Sequence, residues 1–184
     1  MKLKVLCLPG DGVGPEVMDE AMKALHAVAQ TFGHEVLTSE YPFGGQAISQ
    51  VGQCYPEETR EACLAGPAVL LGAVGDPRYD HLPPREKPEA AILGLRRDLG
   101  SFANLRPVVA RFNPPGSPFR EEAVRGVDML FVRELTGGVY FGEPRGTVQD
   151  GLERRAWNTL VYTTKEVERI ARIAFEAARI RRKR

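Results

Sequence analysis

In VRELTGGVYFGEPRG (132–146), Arg133 closes an apolar run and Tyr140 follows seven residues later, across Thr136-Gly137-Gly138, with Arg145 beyond. A guanidinium grips a carboxylate through a planar fork of donors, and a positioned phenol can hand over a proton. The stretch therefore reads in one of two ways. It is a site that binds an acid with Arg133 and moves a proton with Tyr140, or it is a β-hairpin with a solvated Arg and a packed Tyr.

Two further arginines stand beside apolar sequence and not in charge runs: Arg96, and Arg106 in Ala-Asn-Leu-Arg-Pro (103–107). If Arg96, Arg106 and Arg133 converge, they make a receptor for a dicarboxylic acid. In Pro88 to Arg97, helical spacing puts Glu89, Ile92, Leu93 and Arg96 at i, i+3, i+4 and i+7. That face suits a ligand with an acid at one end and a branched alkyl group at the other. The alternative is that Ile92 and Leu93 are core and the charges point outward.

Gly10-Asp11-Gly12-Val13-Gly14-Pro15 lies between a strand-like and a helix-like segment, where phosphate-binding loops occur. It lacks the last glycine of a dinucleotide fingerprint and the Gly-Lys-Ser/Thr of a P-loop. Glycines serving only a tight turn explain it as well. His26, His34 and His81 are scattered, which offers no zinc spacing. Cys7, Cys54 and Cys63 are odd in number and unpaired by motif, as expected for reduced thiols in a cytoplasm. The basic end, residues 179–184, reads as the positively charged last turn of a helix, in preference to a nucleic-acid patch.

The elements that must position these residues are legible in the pattern. The chain has 184 residues, 43% hydrophobic content and a net charge of +1, which fits a folded globular protein and neither a disordered nor a nucleic-acid-coating one. No apolar run is long enough to span a bilayer, and the strand-like start does not read as a signal peptide. Strands are expected at residues 2–8, 34–40 and 68–73, with helices at 15–28, 56–65 and 88–99. This alternation predicts an α/β fold with a mainly parallel sheet flanked by helices. Beyond residue 100, strands are expected at 104–110, 128–134, 139–142 and 157–163, with an exposed polar arm between. Thr163 and Glu166 form a capping box for a last helix, whose apolar stripe is Val167, Ile170, Ala171, Ala174, Phe175 and Ala178. The expected domains are 1–99, a first α/β domain, and 100–184, a second β-rich portion with an arm-like segment at about 142–162.

LPGDGVGPEV (8–17), LLGAVG (70–75), ILGLRRDLGSFANLRPV (92–108), VRELTGGVYFGEPRG (132–146) and VERIARIAFEAARIRRKR (167–184) together resemble the isocitrate/isopropylmalate dehydrogenase family, its 3-isopropylmalate dehydrogenases above all. The resemblance runs in order along nearly the whole chain. Members of the family are longer, so the chain is expected to be a truncated, N-terminal half. The family's catalytic Lys, metal-binding Asp residues and most of its NAD-binding loop are not matched here.

What the resemblance implies is NAD-dependent oxidative decarboxylation of 3-isopropylmalate, a 2-hydroxy dicarboxylate, in leucine biosynthesis. It also implies Mg²⁺ or Mn²⁺ as cofactor, a homodimer or a completing chain, a cytoplasmic setting, and no nucleic-acid or membrane partner. Arg96, Arg106 and Arg133 would bind the malate carboxylates. Tyr140 would protonate the enol carbon, and Glu89, Ile92 and Leu93 would line the pocket for the isopropyl group and the nicotinamide end. No cofactor-binding or metal residue is assigned in this chain, and Asp11, Asp76, Asp80 and Asp98 lie outside the family's metal motif. Homoisocitrate, isocitrate and tartrate are alternative substrates. A non-catalytic or regulatory fragment that binds malate-type acids, or pairs with a full-length relative, is the alternative function. Asp76 where the family has Gly, Gly66-Pro67 and Asn158 are small departures from the family pattern.

Overall fold

The computed structural model describes residues 1–110 and 115–183. The chain divides into two compact units, Met1–Leu99 and Gly100–Arg184.

In the first unit, β1 (Lys2–Gly10), β2 (Glu35–Glu40) and β3 (Val69–Ala73) form a parallel sheet in the order β2-β1-β3. Parallel neighbours need crossover connections. These are α1 (Gly14–Thr31), between β1 and β2, and α2 (Gly45–Val51) with α3 (Glu57–Ala65), between β2 and β3. α4 (Pro88–Asp98) follows a loop that holds a short 3₁₀ turn at Pro77–Tyr79. The parallel sheet with flanking helices is the architecture the alternating pattern predicts. α2 was not legible, because Gly-Gln-Ala-Ile-Ser-Gln-Val carries too few apolar residues to set a helical period.

The core centres on β1, the only strand of this sheet paired on both sides. Leu6, Leu8, Phe43, Cys63, Ala91 and Leu95 are buried together. Removing Leu8 and Phe43 wholly from water contributes about 2–3 kcal/mol each. Phe43 meets Tyr55 edge-on, with ring centroids 5.4 Å apart. Helical spacing puts Val17, Ala21, Leu25 and Val28 on one stripe of α1, and the stripe that turns inward differs from it slightly. Met18 and Ala29 are buried, while Val17 and Val28 stay about half exposed, because the helix sets down on β1 and β3 with Met18 innermost.

In the second unit, β4 (Ala103–Val109) pairs antiparallel with β5 (Asp128–Glu134), and a one-turn helix α5 (Glu121–Val124) precedes β5. β6 (Gly146–Asp150) and β7 (Glu153–Trp157) form an exposed antiparallel ribbon, the arm-like segment. α6 (Thr164–Ile180) closes the described chain against β5. Its Thr163–Glu166 capping box is present in full. Ile170, Ala171, Ile173, Ala174, Ala177 and Ala178 are its half-buried stripe. Val167 and Phe175, placed on the stripe by spacing alone, are 54% and 77% exposed. Arg184, the last residue of the basic end, lies outside the described residues.

Two expected strands fold otherwise. Residues 139–142 fall in a 3₁₀ turn, Gly138–Tyr140, because Gly138 takes a φ of +69° and accepts from the N–H of Gly142 at 2.9 Å. Residues 157–163 are strand only at Trp157. The ladder forms instead in the polar segment 146–157, where Gly151, with a φ of +61°, turns the chain and cross-strand pairing outweighs apolar composition.

Candidate functional site

β5 alternates strictly between half-buried and exposed residues, the period-2 pattern of a strand covered on one side only. Leu130, Val132 and Glu134 take the half-buried side. Met129, Phe131 and Arg133 take the open side. Register places Asn104 opposite Arg133 and Arg106 opposite Phe131. Opposed side chains share a face, so Arg106 and Arg133 are diagonal neighbours, about 7–8 Å apart by sheet geometry. Two cations so placed repel unless an anion lies between them.

The turn after β5 brings Tyr140 back to this face. Its hydroxyl accepts a hydrogen bond from Nη2 of Arg133, whose guanidinium carbon lies 5.5 Å from the Tyr140 ring centre. Arg106 donates from Nε to Asn104 Oδ1 at 2.9 Å, which holds its guanidinium along the strand pair. Arg106, Phe131, Arg133, Glu134, Tyr140 and Tyr162 line one open cavity of about 550 Å³.

The glycines make this turn possible. A Cβ on Gly138 would lie 2.1 Å from the Tyr162 hydroxyl, and one on Gly142 would lie 1.9 Å from the Thr159 carbonyl oxygen. Arg145 donates to the carbonyls of Tyr140 and Gly142, both at 3.0 Å. Its role is to close the turn. Beneath the turn, Glu134 Oε1 accepts from the Thr136 N–H at 2.8 Å and the Thr136 hydroxyl at 2.7 Å. Arg169 of α6 reaches the same oxygen at 2.8 Å. Burial pushes the Glu134 carboxyl up, but the bonds from Arg169 and Thr136 outweigh it and hold the group below its ordinary value.

On the first unit, α4 starts at buried Pro88, a residue suited to a first turn. Ala91 and Leu95 are buried, and Ile92 packs on the same core. A Cβ on Gly94 would lie 3.0 Å from Tyr55 Cδ1, so the helix comes close to that ring at this glycine. Leu93 and Arg96 are half-buried and Glu89 is exposed. Glu89, Leu93 and Arg96 thus share one side of α4, while Ile92 leans toward the core. Glu89 rests by the loop after β3, where a Cβ on Gly75 would lie 3.3 Å from its Oε1.

The glycine loop has a packing explanation. A Cβ on Gly10 would meet the Ala73 carbonyl oxygen at 1.9 Å, and one on Gly14 would meet that of Pro9 at 2.2 Å. Asp11, buried, accepts from the N–H groups of Gly45 at 2.5 Å, Gly75 at 2.7 Å and Asp76 at 2.8 Å. Its carboxylate ties together the loops at the strand ends.

The donor set for a metal is equally specific. No group of three or more His, Cys, Asp or Glu among the described residues is arranged to hold an ion. Cys7, Cys54 and Cys63 are free thiols, and burial pushes each of them up, away from the thiolate form a nucleophile needs. No described helix is long and apolar enough to cross a membrane.

Comparison with known proteins decides the family. The model of the isocitrate/isopropylmalate dehydrogenase family matches residues 4–184. The chain belongs to this family. The 3-isopropylmalate dehydrogenase of Oleidesulfovibrio alaskensis is 50% identical over 184 residues, covering 98% of this chain and 51% of that protein. That of Heyndrickxia coagulans is 49% identical, covering 100% of this chain and 50% of the relative. The crystal structure of isocitrate dehydrogenase from Methylococcus capsulatus superposes with a TM-score of 0.78 at 29% identity, over 98% of this chain and 48% of that one. The chain therefore spans about half the length of the relatives it matches.

Several residues of the site escaped sequence reasoning. Glu134 carried a signal: it continues the Leu130–Val132 side of β5, and a carboxylate on a covered face must find a partner. Arg169 carried the matching one, falling at i−1 and i−4 from Ile170 and Ile173 on the packed side of α6. Tyr162 carried none, since its place depends on the course of residues 158–163.

Proposed function

We propose that this protein acts on a 2-hydroxy dicarboxylate of the 3-isopropylmalate type, in the NAD-dependent oxidative decarboxylation that belongs to leucine biosynthesis. The observation that carries this reading is that Arg106, Arg133 and Tyr140 line one cavity. Arg106 and Arg133 hold the substrate's carboxylates, and the anion relieves the repulsion between the two cations. Phe131 offers an apolar wall beside them. The Tyr140 hydroxyl accepts from Arg133, which leaves its own hydrogen to give. The electron pair of the bond to CO₂ can be held only by a neighbouring carbonyl. The 2-hydroxyl must therefore first be oxidised to a ketone, the chemistry NAD would supply when bound. Loss of CO₂ from that keto acid leaves the pair in an enol, whose carbon takes up the proton from Tyr140.

The roles of Glu89, Ile92, Leu93 and Arg96 in substrate binding are kept in the same proposal. Leu93 supplies the alkyl-recognising contact more readily than Ile92, which the core occupies. The family implies NAD and a divalent metal. Among the described residues the glycine loop is taken up by close backbone contacts and Asp11, and no acidic cluster is set for an ion, so both groups would be held by a completing chain. A homodimer or a completing chain, in the cytoplasm, completes the reading as the family suggests it.

Calorimetric titration of the chain with 3-isopropylmalate and with isocitrate tests the proposal. Saturable binding of 3-isopropylmalate, lost in Arg133→Met, supports it. Preference for isocitrate would move the assignment to another substrate of the family, and no binding of either acid would end it. Adding NAD⁺ and Mg²⁺ and following absorbance of the reduced nicotinamide then separates turnover from a binding-only role.

A further inference from the structure

The Arg169–Glu134 bridge has no place in the chemistry above: Glu134 lines the edge of the cavity and Arg169 meets it from α6. Arg169 Nη2 donates to Glu134 Oε1 at 2.8 Å and also to the Thr136 hydroxyl, while its Nε reaches Glu134 Oε2 at 3.3 Å. Its guanidinium lies over the Phe102 ring at 4.6 Å. Phe102 is itself joined to the turn, through its carbonyl and the N–H of Leu135 at 2.9 Å. A side chain on α6 therefore fixes the start of β4, the end of β5 and the first residue of the turn at once.

We infer that Arg169, acting through Glu134 and Thr136, is the positioning residue for the Arg133–Tyr140 pair. This rests on the reading of the cavity as a dicarboxylate site. The reasoning is geometric. Glu134 and Arg133 are adjacent on a strand, so their side chains leave on opposite faces, and anchoring one sets the direction of the other. Thr136 gives Glu134 both its N–H and its hydroxyl, which fixes the angle at which the chain leaves β5. Only Gly137, Gly138 and Val139 separate Thr136 from Tyr140, and two glycines cannot hold a direction by themselves. Arg145 closes the turn at its far end, and the Arg169–Glu134–Thr136 contacts set the direction in which it leaves β5. Glu134 is only 8% exposed in its side chain and Arg169 36%, so the bridge is largely shielded from water. A planar fork on two acceptors transmits orientation as well as attraction. Lys, with a single point charge, would keep the attraction and lose the orientation.

The alternative is that the bridge only holds α6 to the sheet, and the test separates the two. Chain labelled with ¹³C at the tyrosine Cζ gives one resonance per tyrosine, and Tyr140→Phe assigns that of Tyr140. In Arg169→Met and in Thr136→Val the Tyr140 resonance is expected to move, while those of Tyr41, Tyr55 and Tyr79 stay. Affinity for 3-isopropylmalate should fall roughly tenfold, as displaced binding groups cost at ångström scale. Arg169→Lys should recover part of the affinity and leave the resonance displaced. Ile173→Val, which trims the packed side of α6 without touching the bridge, should move neither. If Arg169→Met fails to fold by circular dichroism, Thr136→Val decides, because it exchanges a hydroxyl for a methyl of the same size. An unmoved Tyr140 resonance and unchanged affinity in the folded variants would overturn the inference. If the unaltered chain binds no 3-isopropylmalate, the dicarboxylate reading fails by itself, and the resonance still judges the bridge.

Discussion

The loop at 10–14 and the turn at 136–142 are both rich in glycine, follow a strand and carry polar side chains, yet they do opposite things with them. In the first, the glycines let backbone press on backbone, and Asp11 is consumed by the N–H groups of Gly45, Gly75 and Asp76. In the second, the glycines bend the chain so that Tyr140 meets Arg133 at the rim of an open cavity beside Arg106. A glycine-rich loop after a strand is thus poor evidence of a ligand. What marks a site is whether charge faces space after the backbone has been satisfied.

The contrast can be broken first where it costs most. Gly14→Ala places a Cβ 2.2 Å from the Pro9 carbonyl oxygen and 2.6 Å from that of Ala73, which backbone cannot relieve. We expect a loss of about 3 kcal/mol or more, read by urea denaturation of the first unit. Arg133→Met should do the reverse. Binding of 3-isopropylmalate should fall roughly tenfold to a hundredfold, the value of a charged hydrogen-bonding pair, with denaturation midpoints almost unchanged.

Asp11→Asn sharpens the comparison. It keeps the shape but gives up the charge that three N–H groups share, at a cost of about 1–3 kcal/mol in stability, with no change in the affinity of the cavity. The smallest effect belongs to Glu134. Its carboxyl is held below the ordinary value of 4.5, against burial, by Arg169 and Thr136. Its contribution is therefore complete above pH 4.5 and is lost as pH falls below that through the folded value. Melting curves of the second unit should drop in that acid range, and Glu134→Gln should flatten the drop.

How much of this was legible in the sequence depends on how local the cause was. The parallel sheet and the capping box at Thr163 follow from alternation and from contacts three residues apart, so pattern alone finds them. The pairing of Arg106 and Arg133 on one face depends on the β4–β5 register, which no local spacing encodes. Val17 and Val28 on α1, and Val167 and Phe175 on α6, show the limit of apolar spacing: it finds a helix and misses its rotation by about one residue. Residues 157–163 show the limit of composition. They are apolar enough for a strand, but ladder bonds formed in the polar segment beside them. Ile92 reads in sequence either as pocket lining or as core; it packs against the buried cluster while staying half-buried.

The central claim is that ligand chemistry belongs to the Arg106–Arg133–Tyr140 cavity and not to the glycine loop. Amide and side-chain NMR shifts during titration with 3-isopropylmalate test it most directly. The account predicts saturable shifts centred on Arg106, Phe131, Arg133, Tyr140 and Tyr162, with Gly10 to Gly14 still. Shifts centred on Gly10, Asp11 and Gly14, with Arg106, Arg133 and Tyr140 unmoved, would contradict it.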